Sequence, residues 1–517
     1  MALQEISYLL PEGFDLEQLK AFLKESNGFK EEAASKVMET YYDSFDWRIW
    51  QVGAELIHEQ AQQNRLCWVD QKAPRSSLCQ GIETPPSFAK DLPRGALAER
   101  LLSVLEMRIL LPQVSIMQQR QTLSILDSEE KTVVRVVLEQ NSYRSINRRQ
   151  TGPLDGRIHL KPLKGYETYF EKLKQRLQEL KLQHCERGLY LDALLGVGIK
   201  VGGYSSKMHL CLDPEARSDH TAKLIMSHLL DTLEANIPGA RMNLDSEYLH
   251  DLRVATRRTR SAMNQIKGVF NPQELDPFKQ GFSWIGSVTG PTRDLDVYLL
   301  QYETYRASLP IEVQPHLEPF HAFLLRRHKM VQAELVKKLN SPHFRKLIKS
   351  WRSWLEAPLC DKPTAPKATM PIAKLADHQI HKLYVRLLKE GSKITADSPA
   401  ESMHDLRKQC KKLRYLMEFF QSLYPKSDIR KSIKALKIIL DNLGEYQDLE
   451  VQARTLEAFG DEMLKEGAPA SALMAMGILV GKLFEKQTEK REEFTDLFKA
   501  FSSRANQRVF HKLFGES

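Results

Sequence analysis

His250-Asp251-Leu252-Arg253-Val254-Ala255-Thr256-Arg257-Arg258-Thr259-Arg260 returns later in the chain as His404-Asp405-Leu406-Arg407-Lys408-Gln409-Cys410-Lys411-Lys412-Leu413-Arg414. From 250 to 404 the shift is 154 residues, and the same shift carries Arg260 onto Arg414. It also carries Gly290 and Asp294-Leu295-Asp296-Val297 onto Gly444 and Asp448-Leu449-Glu450-Val451, and Phe344 onto Phe498. A constant offset over such a length implies two copies of one unit. Long amphipathic helices with short breaks run from about Ser218 onward, so the unit is helical and the two copies are expected to pack about a pseudo-twofold axis.

At roughly 100° per residue, His250, Arg253, Arg257 and Arg260 fall in one narrow stripe. Leu252, Thr256, Thr259 and Met263 take the opposite side. The second copy repeats this, with His404, Arg407, Lys411 and Arg414 in the stripe, Lys408 flanking it, and Leu406, Cys410, Leu413 and Met417 behind. Like charges three and four residues apart repel by a few tenths of a kcal/mol per pair. The local acids Asp251, Asp405 and Glu418 are too few to cancel them. Arginine forks match phosphate oxygens and lysines add mobile point charges. A ladder of cations at about 5.4 Å per turn suits a linear polyanion. Binding would release counterions and weaken with salt. The stripes lack the interleaved aromatic rings on which bases stack, and Tyr415 is expected to lie away from the stripe, which disfavours single-stranded nucleic acid. A solvated or salt-bridged stripe is the plainer alternative: His250 and His404 buried, Asp294 and Asp448 pairing with the arginines. Duplication in register favours the ligand. Lys431, Lys434 and Lys437, and Lys482, Lys486 and Lys490, recur at helical spacing and read equally well as solvated faces.

The rest of the 517 residues fits around this pair. Residues 1–215 hold 28 Lys and Arg against 29 Asp and Glu; residues 216–517 hold 47 against 37. The excess of positive charge therefore lies with the helical copies. Ala357–Pro371 is rich in proline and polar residues and reads as a linker, giving halves 216–356 and 372–517. The first region is mixed, with strands expected at Glu5–Leu10, Ala54–Glu59, Val114–Gln118 and Thr132–Glu139. Helices are expected at Asp15–Lys24 and Glu167–Leu182, and an irregular loop at Pro74–Pro93. No run of roughly 18 apolar residues suggests a membrane span. The start of the chain lacks the build of a secretory signal. Six scattered cysteines suggest neither a zinc site nor a disulfide framework, so a reduced, cytoplasmic protein is expected.

HDLRVATRRTR, GPTRDLDV, HDLRKQCKKLR and GEYQDLEV resemble the CHAD family, the conserved-histidine α-helical domain. The resemblance covers about residues 216–517. It implies two four-helix bundles around a basic pore or groove, inorganic polyphosphate as partner, and association with polyphosphate granules. It points to His250, Arg253, Arg257, Arg260, His404, Arg407, Lys411 and Arg414 as the ligand-facing positions; Lys408 and Lys434 join them as neighbouring candidates. The second copy has Lys411-Lys412 in place of an arginine pair, which keeps the charge.

Tyr41-Tyr42-Asp43-Ser44-Phe45-Asp46, Val114–Arg120 and Arg135–Gln140 resemble a CYTH domain, the triphosphate tunnel, over residues 1–205. That resemblance implies an antiparallel β-barrel with helices. The family's E-x-E-x-K strand is here Leu3-Gln4-Glu5-Ile6-Ser7, with one glutamate kept. Leu56-Ile57-His58-Glu59 stands where the family has arginines. Arg157-Ile158-His159-Leu160-Lys161 stands where it has alternating glutamates, while Arg120 is retained. Tunnel hydrolysis needs several oxygen ligands for a divalent metal, and Glu5 alone falls short. The domain is therefore expected to be degenerate, scaffolding or binding without turnover, with no catalytic or metal residue assigned.

Three functions stand in order: polyphosphate binding, a Mg²⁺- or Mn²⁺-dependent inorganic tripolyphosphatase in the tunnel, and a nucleic-acid or protein-interaction scaffold. Replacing Arg253, Arg257, Arg407 and Lys411 by glutamine is expected to abolish polyanion binding and leave folding intact. The stripe histidines are expected to take up protons on binding near neutral pH.

Overall fold

The structure, a computed structural model, describes all residues except 1–4, 11–15, 25–27, 73–76, 186, 396–397 and 516–517. The chain divides into two compact units, 1–205 and 206–517.

Among its described residues the first unit has nine strands: β1 Ile6–Leu10, β2 Phe29–Glu31, β3 Ser35–Asp43, β4 Ala54–Gln60, β5 Arg65–Asp70, β6 Leu78–Gly81, β7 Leu111–Leu126, β8 Thr132–Ser145 and β9 Thr151–Pro162. They pair antiparallel in the order β1-β9-β8-β7-β3-β4-β5-β6, with β2 also on β7. Among the described residues the pairings form an open path, with β1 at one end and β6 at the other. Its helices are α1 Leu16–Lys24, α2 Arg48–Gln51, α3 Ala96–Leu105, α4 Glu167–Glu179 and α5 Leu189–Gly196.

The pleat sends alternate side chains to opposite faces. One face is apolar. Tyr8, Leu10, Val136, Ile158 and Leu160 pack with Phe170, Leu173 and Leu177 of α4. Leu56, Leu66 and Trp68 pack with Leu97, Leu101 and Leu105 of α3. The other face carries Ser7, Glu39, Arg120, Glu139 and His159, as the register requires. Part of that second face is covered by α5, whose Tyr190 stacks on Tyr41 at 4.4 Å.

Two expectations are corrected here. The stretch expected to be irregular contains β6, since Leu78–Gly81 finds free backbone partners at the edge of β5. Its residues 74–76 lie outside the described residues. Cys67 and Cys79, opposite each other across β5 and β6, form a disulfide, so the chain is not fully reduced. A spacing of 12 residues gave no cue, because strand register brings the two together. Cys185, Cys211, Cys360 and Cys410 are free. Leu3 and Gln4 of the expected acidic strand, and Asp15 of the first helix, fall outside the described residues.

The second unit is helical: α6 Ser218–Met242, α7 Ser246–Gln265, α8 Pro272–Ser308, α9 Glu318–Leu339 and α10 Pro342–Glu356, then α11 Ile372–Gly391, α12 Ala400–Phe419, α13 Lys426–Lys465, α14 Ala470–Phe501 and α15 Arg504–Phe514. The first three helices of each copy begin at residues 218, 246 and 272 and at 372, 400 and 426, so the shift of 154 extends to helix starts. The register survives further on. Phe344 lines a groove with Ile237, and a Cβ on Gly391 would run into the Phe498 ring; 237 and 391 differ by 154. The copies diverge in backbone there. Pro342 opens a new helix in the first copy, with Ser341 capping its N-terminus. The second copy has no proline at the matching place, and α14 runs through.

The distal parts of the long helices build one core between the copies. Tyr298, Tyr302 and Tyr305 of α8 and Phe320 and Phe323 of α9 meet Leu456 and Phe459 of α13 and Met476 and Leu479 of α14. The segment 357–371 is held against the helices: Ala357 O accepts from Lys223 Nζ, Lys367 N donates to Gly268 O, and Met370 O accepts from Ser218 N. No helix of the described residues is long and apolar enough to cross a membrane.

Candidate polyanion-binding site

The repeated motif forms α7 and α12, which pack against each other. Asp245 caps α7 by accepting from Glu247 N and Tyr248 N, which fixes where the helix starts and hence its register. Leu249, Leu252, Ala255, Thr256, Thr259 and Met263 are buried, as are Leu406, Cys410, Leu413, Leu416 and Met417. With those faces inward, the remaining faces bring cations from both copies to one cavity of about 560 Å³. His250 and Arg257 line it from α7, Arg407, Lys411 and Arg414 from α12, and Gly444 and Asp448 from α13.

The other candidates sit elsewhere. Arg253 is turned into α8, where Nη1 donates to Gly286 O at 3.0 Å and Thr289 Oγ1 at 2.9 Å. Arg260 is exposed, and a Cβ on Gly286 would lie 3.4 Å from its Nη1. Lys408 is exposed and pairs with Asp405 at 2.8 Å. His404 is half-buried and does not line the cavity. Lys434 lines a second, smaller cavity with Lys437. Lys482 bonds to Ser308 O, and Lys490 pairs with Glu445 and Glu493, so those lysines have internal duties.

Sequence reasoning missed three contributors. Arg258 and Lys207 line the cavity, and Tyr415 lines it too, which corrects its expected position away from the stripe. Tyr415 is one residue past the Arg414 stripe, and its ring reaches round towards Phe419, with centroids 6.5 Å apart. Lys207 precedes the helices altogether. It arrives on a strap held by Arg258 Nη1 on Ser206 O, Gln421 Nε2 on Met208 O, and Leu212 N on Ser422 Oγ.

The electrostatics are uneven. Arg407 donates to Gln447 Oε1 at 2.7 Å and to Asp448 Oδ1 at 3.0 Å. Glu418 accepts from Arg414 at 2.7 Å and from Arg258 at 2.9 Å, tying the copies together. Of the expected salt bridges, Asp448 does pair with Arg407, whereas Arg253 bonds into α8 and Arg414 takes Glu418 as its partner. Arg257 and Lys411 make no hydrogen bond or ion pair among the described residues. Burial, reinforced by Arg407 and Arg257, pushes the Lys411 ammonium down to about 8. A cation so placed is stabilised by an anion that enters the cavity. Gly290 and Gly444 sit under the matching arginines: a Cβ would lie 3.5 Å from Arg253 Nη1 and 3.6 Å from Arg407 Nη2.

The polar face of the sheet unit is built differently. Arg120 bonds to Glu39 at 2.9 Å and Glu139 at 3.0 Å. His159 lies 3.2 Å from Glu139 and 3.5 Å from Glu5, and Lys161 lies 3.9 Å from Glu5. Burial raises the Glu39 carboxyl. It would raise Glu139 too, but His159 and Arg120 outweigh it and hold that carboxyl low. The carboxylates are thus committed to internal cations, and among the described residues no three His, Cys, Asp or Glu side chains are grouped to hold a metal ion. This arrangement does not fit a divalent cation coordinated by several free carboxylates.

A duplicated helical domain whose copies share one cationic cavity is the class defined by this fold and site. The CHAD domain family model matches residues 224–457, within the second unit. Among solved structures, the CHAD domain from the plant Ricinus communis is 25% identical, covering 57% of this chain and 95% of that one with a TM-score of 0.48. PptA from Streptomyces chartreusis is 13% identical, covering 55% of this chain and 99% of that one with a TM-score of 0.42. HpAC1 from Hippeastrum, described as a putative adenylyl cyclase with a dominant triphosphatase activity, is 12% identical, covering 39% of this chain and 99% of that one with a TM-score of 0.27. Comparison with curated proteins returns no match.

Proposed function

We propose that the CHAD domain binds inorganic polyphosphate in the cavity between α7 and α12. The observation that carries this reading is the pair Arg257 and Lys411. They come from separate copies, face one cavity, lack a carboxylate partner among the described residues, and raise each other's electrostatic cost. A chain of closely spaced phosphates offsets that cost at several points together and releases counterions. His250, Arg407 and Arg414 share the cavity wall and would contact the chain, while Arg253 would hold α7 on α8. Arg260, His404 and Lys408 would add to the field around the cavity, and Lys434 would contact the chain from the second cavity. Cytoplasmic placement on polyphosphate granules belongs to the same proposal.

A binding titration with inorganic polyphosphate at several salt concentrations tests the reading. Micromolar or tighter binding that weakens steeply with salt is expected. Binding no tighter than that of sulfate at equal ionic strength would retire it. Tyr415 in the cavity wall favours a second reading, single-stranded nucleic acid stacked on that ring. Competition at equal phosphate concentration separates the two. For the sheet unit we propose scaffolding or binding without turnover, because Arg120 and its carboxylates are already engaged with each other. Orthophosphate release from tripolyphosphate with Mg²⁺ or Mn²⁺, lost in Glu139→Gln, would establish the enzyme instead.

A further inference from the structure

A second cavity of about 330 Å³ lies beyond the first, walled by Lys207, Arg258, Glu418, Arg430, Lys434 and Lys437 among others. The two follow one another along α13 and share two wall residues. The first is lined on α13 by residues 440–448 and on α12 by residues 407–415. The second is lined on α13 by residues 430–437 and on α12 and just past it by Glu418 and Gln421. Lys207 and Arg258 wall both. From Arg430 to Asp448, at 1.5 Å per residue, their lining residues span about 27 Å along α13.

Charge differs between the stretches in a way the motif does not suggest. In the first, six lysines and arginines face the four carboxylates Asp251, Asp441, Glu445 and Asp448, a formal excess of two. In the second, five face Glu418 alone, an excess of four. Glu418 is itself engaged, with Arg258 on one side and Arg414 on the other. Arg430, Lys434 and Lys437 are exposed and make no ion pair among the described residues. The cations that set the second stretch apart, Arg430, Lys434 and Lys437, lie outside the repeated motif.

We infer that this second cavity is a phosphate subsite, continuous with the first beneath the strap at Ser206–Met208, and that the domain reads chain length because a chain that fills both binds more tightly than one that fills the first alone. This rests on the polyphosphate reading of the first cavity. A short oligophosphate fills one stretch only. A long chain passes Glu418 and gathers the extra cations, each neutralised phosphate adding to the salt dependence.

The experiment compares the full chain with Arg430→Gln/Lys434→Gln/Lys437→Gln, using sodium tripolyphosphate and a long-chain inorganic polyphosphate as probes. All three side chains are exposed, and thermal melting confirms that the variant folds. Expected is a loss of at least tenfold for the long chain, less than threefold for tripolyphosphate, and a shallower salt slope for the long chain only. Arg257→Gln, in the first cavity, should weaken both probes. Equal losses for both probes in the triple variant would show a general field effect and overturn the subsite. No loss for either would overturn it as well. Absence of long-chain binding in the unaltered protein would sink the polyphosphate reading itself, a distinct outcome.

Discussion

Arg407 bonds to Asp448 across α12 and α13 at 3.0 Å, whereas its counterpart Arg253 bonds to Gly286 O and Thr289 of α8. Asp294, the counterpart of Asp448, lies close enough for Arg253 to lower its carboxyl, though burial raises it more. One duplicated position thus has two duties. In the second copy the arginine is held at the cavity by a mostly exposed carboxylate. In the first it is spent on helix packing.

Asp448→Asn should therefore tighten polyphosphate binding. The carboxylate competes with ligand phosphate for Arg407, and an exposed pair of this kind holds about 0.2–1 kcal/mol. Removing it should lower Kd by up to roughly fivefold at low salt. Titration calorimetry checks this, and an unchanged or weaker affinity would show that Asp448 orients Arg407 instead of competing for it.

Arg253→Gln should cost stability, unlike Arg257→Gln. Loss of charged hydrogen bonds to a buried threonine and a helix carbonyl costs about 1.5–3 kcal/mol, while Arg257 is exposed and unpaired among the described residues. Thermal melting of the two single variants should separate them by several degrees. For Arg253 this departs from the expectation that all four glutamine substitutions leave folding intact, because its guanidinium bonds into α8.

Most of the fold was legible because a shift of 154 residues is visible at Gly290 and Gly444 as well as at the histidines. The helical wheel placed Leu252, Leu406 and Cys410 in the core, where they are. It could not place Arg253, since stripe membership fixes an azimuth and not which neighbouring helix lies there. Lys207 and Arg258 escaped for related reasons. One arrives from outside the helices, and the other lies off the stripe until α12 and Glu418 pack beside it. In the sheet unit, Glu39 and Glu139 went unnoticed because only strand order and register bring them to Arg120.

That triad yields a prediction for the first unit. Arg120→Gln leaves Glu39 and Glu139 buried without their guanidinium and should destabilise the unit by about 3–5 kcal/mol at pH 7. Glu139 is held below its ordinary value, so its contribution is present above the unfolded carboxyl range near 4.3 and is lost as pH falls through the lower folded value. The gap between the unaltered protein and the variant should accordingly narrow in acid. Urea melts at pH 7 and pH 3 measure it, and a constant gap would mean that Glu139 is not a principal partner.

Lys411 should make binding pH-dependent in a defined direction. Burial and the neighbouring Arg407 and Arg257 push its ammonium down to about 8, and a polyanion beside it would restore the charged form. Binding then takes up a proton, and affinity falls as pH rises through 8. Lys411→Arg, which stays charged, should flatten that fall between pH 7 and 9. The same depression penalises the fold at pH 7. The unfolded chain holds the proton up to about 10.4, so stability gains between about 8 and that value. Lys411→Met should therefore raise the melting temperature at pH 7 by a few degrees, about 1 kcal/mol, while weakening polyphosphate binding. A lower melting temperature would mean that Lys411 is paired in solution, and a pH profile unchanged by arginine would move the proton uptake back to the histidines.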